Sequence, residues 1–107
     1  MMETYVQMFT TINTEQDAER IAKTLVEKRL AGAVQIFPTT SIYRREDRIE
    51  TAEEWRLSIK TRMDLCSDVE AAIREFTSRV VSEMIVTPIL GGSDQYLDWL
   101  NKEMIRK

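Results

Sequence analysis

Two long runs, residues 33–43 and 48–60, face each other across the charged spacer Arg44, Arg45, Glu46 and Asp47. They read as strands of one hairpin joined by a tight turn. The second run reaches roughly 43 Å at strand rise. A compact chain of this length has a radius of gyration of about 13 Å and a breadth of about 30–35 Å. The ribbon therefore outruns the helices available to cover it, and its far end is expected to pair with another copy. Pro38 sits inside the first strand and cannot donate to a ladder, so it marks a bulge or an edge position.

The remaining elements follow from periodicity and caps. Tyr5 to Ile12 mixes β-branched and aromatic residues as a strand does. Thr14 with Asp17 three residues on resembles a capping box. Ala18, Ile21, Ala22, Leu25 and Val26 then recur at helical spacing. Ala31-Gly32 is expected to end that helix through a left-handed glycine. Leu65, Val69, Ala72, Ile73 and Phe76 mark a second apolar helical face, which Thr77 and Ser78 loosen. Residues 83–89 read as a short buried strand. Ser93 caps a last helix with Tyr96, Leu97, Trp99, Leu100 and Met104 on its apolar side.

The expected architecture is α+β: a ferredoxin-like βαββαβ sandwich with a long hairpin between its second and third strands and an extra C-terminal helix. Residues 1–107 are read as a single domain. The bare sheet face is expected to hold Phe37, Trp55 and Leu57, too apolar to leave wet, which is a second reason to expect an oligomer.

Composition removes whole classes of function. Net charge is −3 and no basic block is present, which argues against a nucleic-acid partner. No apolar run is long enough for a membrane span. Residues 1–4 show neither a basic nor an apolar leader pattern, so no signal peptide is expected. One cysteine, Cys66, cannot form an internal disulfide, and a cytoplasmic setting is expected. Histidine is absent, which removes the commonest general base and transition-metal ligand. The six methionines show no clustered spacing and read as core filling.

Segments 27–36 (Glu-Lys-Arg-Leu-Ala-Gly-Ala-Val-Gln-Ile), 40–44 (Thr-Ser-Ile-Tyr-Arg), 57–62 (Leu-Ser-Ile-Lys-Thr-Arg) and 96–100 (Tyr-Leu-Asp-Trp-Leu) resemble, in order and spacing, the divalent-cation tolerance (CutA) family. So does Phe-Thr-Thr at 9–11. The resemblance covers nearly the whole chain. It implies a homotrimer of ferredoxin-like subunits whose hairpins pair between copies, PII-like in architecture, with a part in the response to metal ions. It implies no settled reaction. Phe9 stands where many members carry cysteine, and segment 77–83 replaces the usual His-Pro-Tyr and keeps only its glutamate, Glu83. Segment 43–47 lacks the usual Trp and Gly of the turn. Copper and zinc favour thiolate and imidazole, so weak or no binding of either is expected.

Five residues are candidate ligand contacts, and no catalytic residue is expected. Glu83 opens the last strand. At a subunit junction it would bind a cation or a ligand amine, and it is the sole, weak metal candidate; its plainer role is an ion pair. Lys60 shares a strand face with Arg56 and Ser58, opposite Trp55, Leu57 and Ile59. It would pair with Glu83 or hold an anion, or simply be a solvated lysine. Tyr43 would close a pocket with its hydroxyl, or pack across the sheet. Tyr96 and Trp99 would line a cleft between subunits or, more plainly, dock the last helix on its own sheet. Cys66 reads as a structural thiol. No cofactor is called for beyond an optional divalent cation.

Two functional classes remain. One is a trimeric binding or regulatory module with clefts at subunit junctions, whose loops around 45–47 or 79–81 respond to a ligand. The other is a PII-like scaffold that anchors a protein partner. A Glu83–Lys60 proton-transfer pair, the enzymatic alternative, has no supporting motif.

Overall fold

The structure, a computed structural model, describes residues 4–77 and 83–107. The expected loosening at Ser78 and the loop at 79–81 lie outside the described residues. The elements in chain order are β1 (Tyr5–Ile12), α1 (Glu15–Glu27), β2 (Ala33–Arg45), β3 (Arg48–Arg62), a 3-10 turn at Met63–Leu65, α2 (Cys66–Arg74), β4 (Ile85–Pro88) and α3 (Asp94–Glu103).

The sheet runs β2-β3-β1-β4, with every pairing antiparallel. Register assigns each residue to a face. Val34, Ile59, Met8 and Val86 form one row across all four strands, and Ile36, Leu57 and Thr10 form the next. This face meets α1 through Ala18, Ile21 and Leu25 and α2 through Val69, Ala72 and Ile73, giving one apolar core. The opposite face carries Gln35, Ser58 and Phe9 in one row and Ala33, Lys60 and Gln7 in the next. Trp55 and Leu57, expected on the bare face, therefore lie on the helix side. Of the three residues named for that face, Phe37 alone shares the open side with Lys60. The expectation failed because Trp55 and Leu57 stand an odd number of residues from Lys60, and side chains alternate with period two.

The hairpin turns on two residues, Glu46 (φ 50°) and Asp47 (φ 64°), with Arg45 opposite Arg48. Left-handed backbone at both positions is the two-residue geometry that matches strand twist. β3 has 15 residues, a span of about 50 Å. The molecule measures 47 × 25 × 21 Å, with a radius of gyration of 14.7 Å. Residues 42–49 are exposed throughout, including Ile42 at 69% and Ile49 at 65%. β2 is an edge strand among the described residues, and Pro38 pairs with Trp55 in unbroken register. Pro38 thus marks an edge and not a bulge.

Local chemistry sets the helix ends. Thr14 Oγ1 accepts the Asp17 N–H at 3.1 Å and caps α1. The helix ends in a Schellman arrangement: Leu30 N–H donates to Leu25 C=O and Arg29 N–H to Val26 C=O. The left-handed residue there is Arg29 (φ 60°), not Gly32 as expected. Gly32 is small for another reason, since a Cβ would collide with Leu100 Cδ1. Leu100 and Met104 are buried and dock α3. Tyr96 and Trp99 stay exposed, which corrects the expectation that they do the docking. No helix among the described residues is long and apolar enough to cross a membrane.

Candidate functional site

The open face of the sheet concentrates the polar chemistry. Lys60 Nζ donates to Gln35 Oε1 at 2.6 Å and to Ser58 Oγ at 2.7 Å. Ser58 Oγ in turn donates to Gln7 Oε1 at 3.1 Å. Ser58 is buried and forms the floor of this chain of bonds. Register produces the cluster: Gln35 lies beside Ser58 on β2, and Gln7 lies beside Lys60 on β1. Burial pushes the Lys60 ammonium below the usual lysine range, because desolvation penalises the charged form.

Arg56 occupies the same face, two residues from Ser58. Its guanidinium lies over the Phe9 ring, 4.4 Å from the centroid. Its Nε is 3.8 Å from Glu83 Oε2, an ion-pair distance too long for a hydrogen bond. Among the described residues that buried Nε has no hydrogen-bond partner. Glu83 thus pairs with Arg56, not with Lys60 as the sequence reading allowed. Its carboxylate sits against a cation, a poor place for a divalent metal. No group of three acidic, cysteine or histidine side chains that could hold a metal is present among the described residues.

The other candidates lie apart. Tyr43 shares the open face but pairs with Glu50, ten residues along β2 from the Ala33–Lys60 pair, a separation of about 33 Å. Tyr96 and Trp99 meet each other, ring centroids 5.7 Å apart and tilted by 36°, and are 41% and 44% exposed. A shallow apolar depression of about 290 Å³ lies between α1 and β2, lined by Ala22, Lys23, Val26, Glu27 and Val34, none of them a candidate. Sequence reasoning missed Gln7, Gln35 and Phe9. Alternation on each strand was visible, but the cross-strand register that unites them was not.

The profile of the CutA1 divalent ion tolerance proteins matches residues 6–103, nearly the whole sheet-and-helix framework described above. The chain belongs to the CutA1 family. Similar relatives include a divalent-cation tolerance protein CutA from Archaeoglobus fulgidus, 35% identical over 95 residues, spanning 89% of this chain and 93% of that one. The chloroplastic CutA of Arabidopsis thaliana is 32% identical over 96 residues and longer: 89% of this chain matches 53% of it. The crystal structure of CutA1 from Oryza sativa superposes with a TM-score of 0.94 at 28% identity, covering 98% of this chain and 97% of that one.

Proposed function

We propose that this CutA-family chain is a trimeric binding or regulatory module acting in the response to metal ions. Its subunits are ferredoxin-like, its β2–β3 ribbons pair between copies, and its subunit junctions hold a small ligand. The observation that carries this reading is the ribbon itself. A molecule 47 Å long with exposed isoleucines at its far end has surface that a single copy leaves wet. Family membership supports the metal-response part, since the matching family is named for divalent ion tolerance.

The residues present do not fit a copper or zinc site within one chain. Histidine is absent, Cys66 stands alone, and Glu83 is held by Arg56. Such ions favour thiolate and imidazole, so direct binding is weak or absent and the role is regulatory. The hydroxyl–amine pair on the open face, Ser58 with Lys60, is bonded with Lys60 as donor and Ser58 donating on to Gln7, so Lys60 does not stand as a base toward Ser58, and the module is read as non-enzymatic. Cytoplasmic residence is supported by the lone cysteine.

Light scattering and copper(II) calorimetry on one sample test this reading. The expected mass is three times the 12.5 kDa of the chain, with a copper dissociation constant of micromolar order or weaker, about −8 kcal/mol at most. A stable single copy sinks the assembly, and stoichiometric nanomolar copper uptake sinks the regulatory role. The exposed Tyr96–Trp99 pair favours a second reading, a scaffold trimer that docks a protein partner through α3. Loss of partner capture in Trp99→Ala, with no melting shift from any metal or metabolite, would select it.

A further inference from the structure

The hydrogen bonds of the open face run in one direction. Lys60 donates to Gln35 Oε1 and Ser58 Oγ, and Ser58 donates to Gln7 Oε1. Each of these bonds consumes an acceptor. The hydrogens left over are the remaining Lys60 N–H and the amide NH₂ groups of Gln35 and Gln7, which meet no acceptor among the described residues. Lys60 makes no ion pair among the described residues. Two carboxylates near Arg56 have other neighbours. Glu83 sits against Arg56, and Glu54 lies one row beyond Arg56 and has its own partner. A half-buried cation beside two side-chain amides, with no ion pair among the described residues, is an arrangement completed by an anion.

We propose that this face, between β1, β2 and β3, is a recognition site for a small carboxylate with an apolar substituent, held by Lys60, Gln35 and Gln7 over the floor of Ser58. The inference deepens the junction-ligand reading above and rests on it for the covering of the site.

Charge decides the ligand class. Arg56 is shared with Glu83, while Lys60 makes no ion pair among the described residues, and one such positive charge suits a monoanion better than a phosphate dianion. Amide and ammonium donors side by side suit the two oxygens of a carboxylate. The substituent has apolar contacts waiting. Phe9 lies in the Ser58 row under the Arg56 guanidinium, and Ile85 pairs with Phe9 and is exposed. The buried Arg56 Nε, without a hydrogen-bond partner among the described residues, offers a further donor at that flank.

The test is calorimetry and thermal shift with sodium benzoate, sodium acetate and inorganic phosphate against sodium chloride of matched ionic strength. Light scattering is run on the same samples. Benzoate is expected to bind and to raise the melting temperature, acetate to do so less, and phosphate no more than chloride. Lys60→Gln is expected to weaken benzoate at least about tenfold, the scale of one charged hydrogen bond. Gln35→Glu places a carboxylate against Lys60 and is expected to abolish the response while keeping the fold. A response equalled by chloride, a preference for phosphate, or undiminished benzoate binding in both variants overturns the proposal. An intact oligomer without benzoate binding removes this proposal and leaves the assembly standing. A single copy that still binds benzoate through Lys60 does the reverse.

Discussion

Cys66 and Lys60 are both held toward their neutral forms. Burial pushes the Cys66 thiol up, and the nearby carboxylates Asp64 and then Glu70 add to it. Burial alone pushes Lys60 down. The signs for stability differ. The Cys66 contribution is fully present below the ordinary thiol pKa and is lost as pH rises through its raised folded value. The Lys60 penalty is full below its lowered folded value and is relieved as pH rises through that value toward the ordinary lysine range. Thiol modification gives a direct readout, because the thiolate is the reacting species. The rate for the native protein with a neutral alkylating reagent should reach its midpoint at higher pH than a free thiol. Glu70→Gln should move that midpoint part of the way down. Asp64→Asn is the poorer probe, since Asp64 Oδ1 accepts from the buried Arg62 Nε at 3.0 Å. A profile that coincides with a free thiol would refute the electrostatic account.

At the scale of elements, Arg29 joins two helices. Its left-handed backbone closes α1, and its guanidinium donates to the last carbonyls of α3, Nη2 to Lys102 at 2.8 Å and Nε to Glu103 at 3.1 Å. Its own carbonyl accepts the Ile105 N–H at 2.9 Å. Those α3 carbonyls have no intrahelical partner and attract a cation. Arg29→Ala keeps the strained backbone and loses the cap, and should cost about 1–2 kcal/mol in denaturant unfolding. Arg29→Gly loses the same cap but relieves the left-handed strain, worth roughly 1–2 kcal/mol. It should be close to neutral in stability while amide exchange quickens at the end of α3. Equal losses in both variants would show that strain at residue 29 is not part of the balance. This joint also shows what the sequence conceals. The strand Tyr5–Ile12, the Thr14 and Ser93 caps and the long ribbon are local, written in neighbouring residues, and were legible. Which residue takes the left-handed turn depended on where α1 stopped, and Gly32 drew the assignment although its smallness answers Leu100, 68 positions later. The Lys60 cluster was illegible for the same reason: Gln7, Gln35 and Ser58 come from three strands, and only register makes them neighbours.

For the whole molecule, the length of the ribbon and the exposure of its end make a single test of assembly. Ile42 and Ile49 both lie on the helix side of the sheet by register, beyond the reach of α1 and α2. In a working single copy they contribute almost nothing to folding, and a polar replacement there should stay within about 0.5 kcal/mol and improve solubility. In an assembly they are buried by a neighbour, and full burial of one isoleucine is worth about 1.5–3 kcal/mol at each junction. The double variant Ile42→Glu with Ile49→Glu separates these cases by sign. In the proposed trimer each junction loses two apolar contacts and gains negative charge, so sedimentation at micromolar concentration should shift toward the single-chain mass. Circular dichroism should retain the strand and helix signal, because the core built on Met8, Ile21, Leu57 and Ile59 is untouched. An unchanged mass in that variant would mean that the far end of the ribbon is not where copies meet.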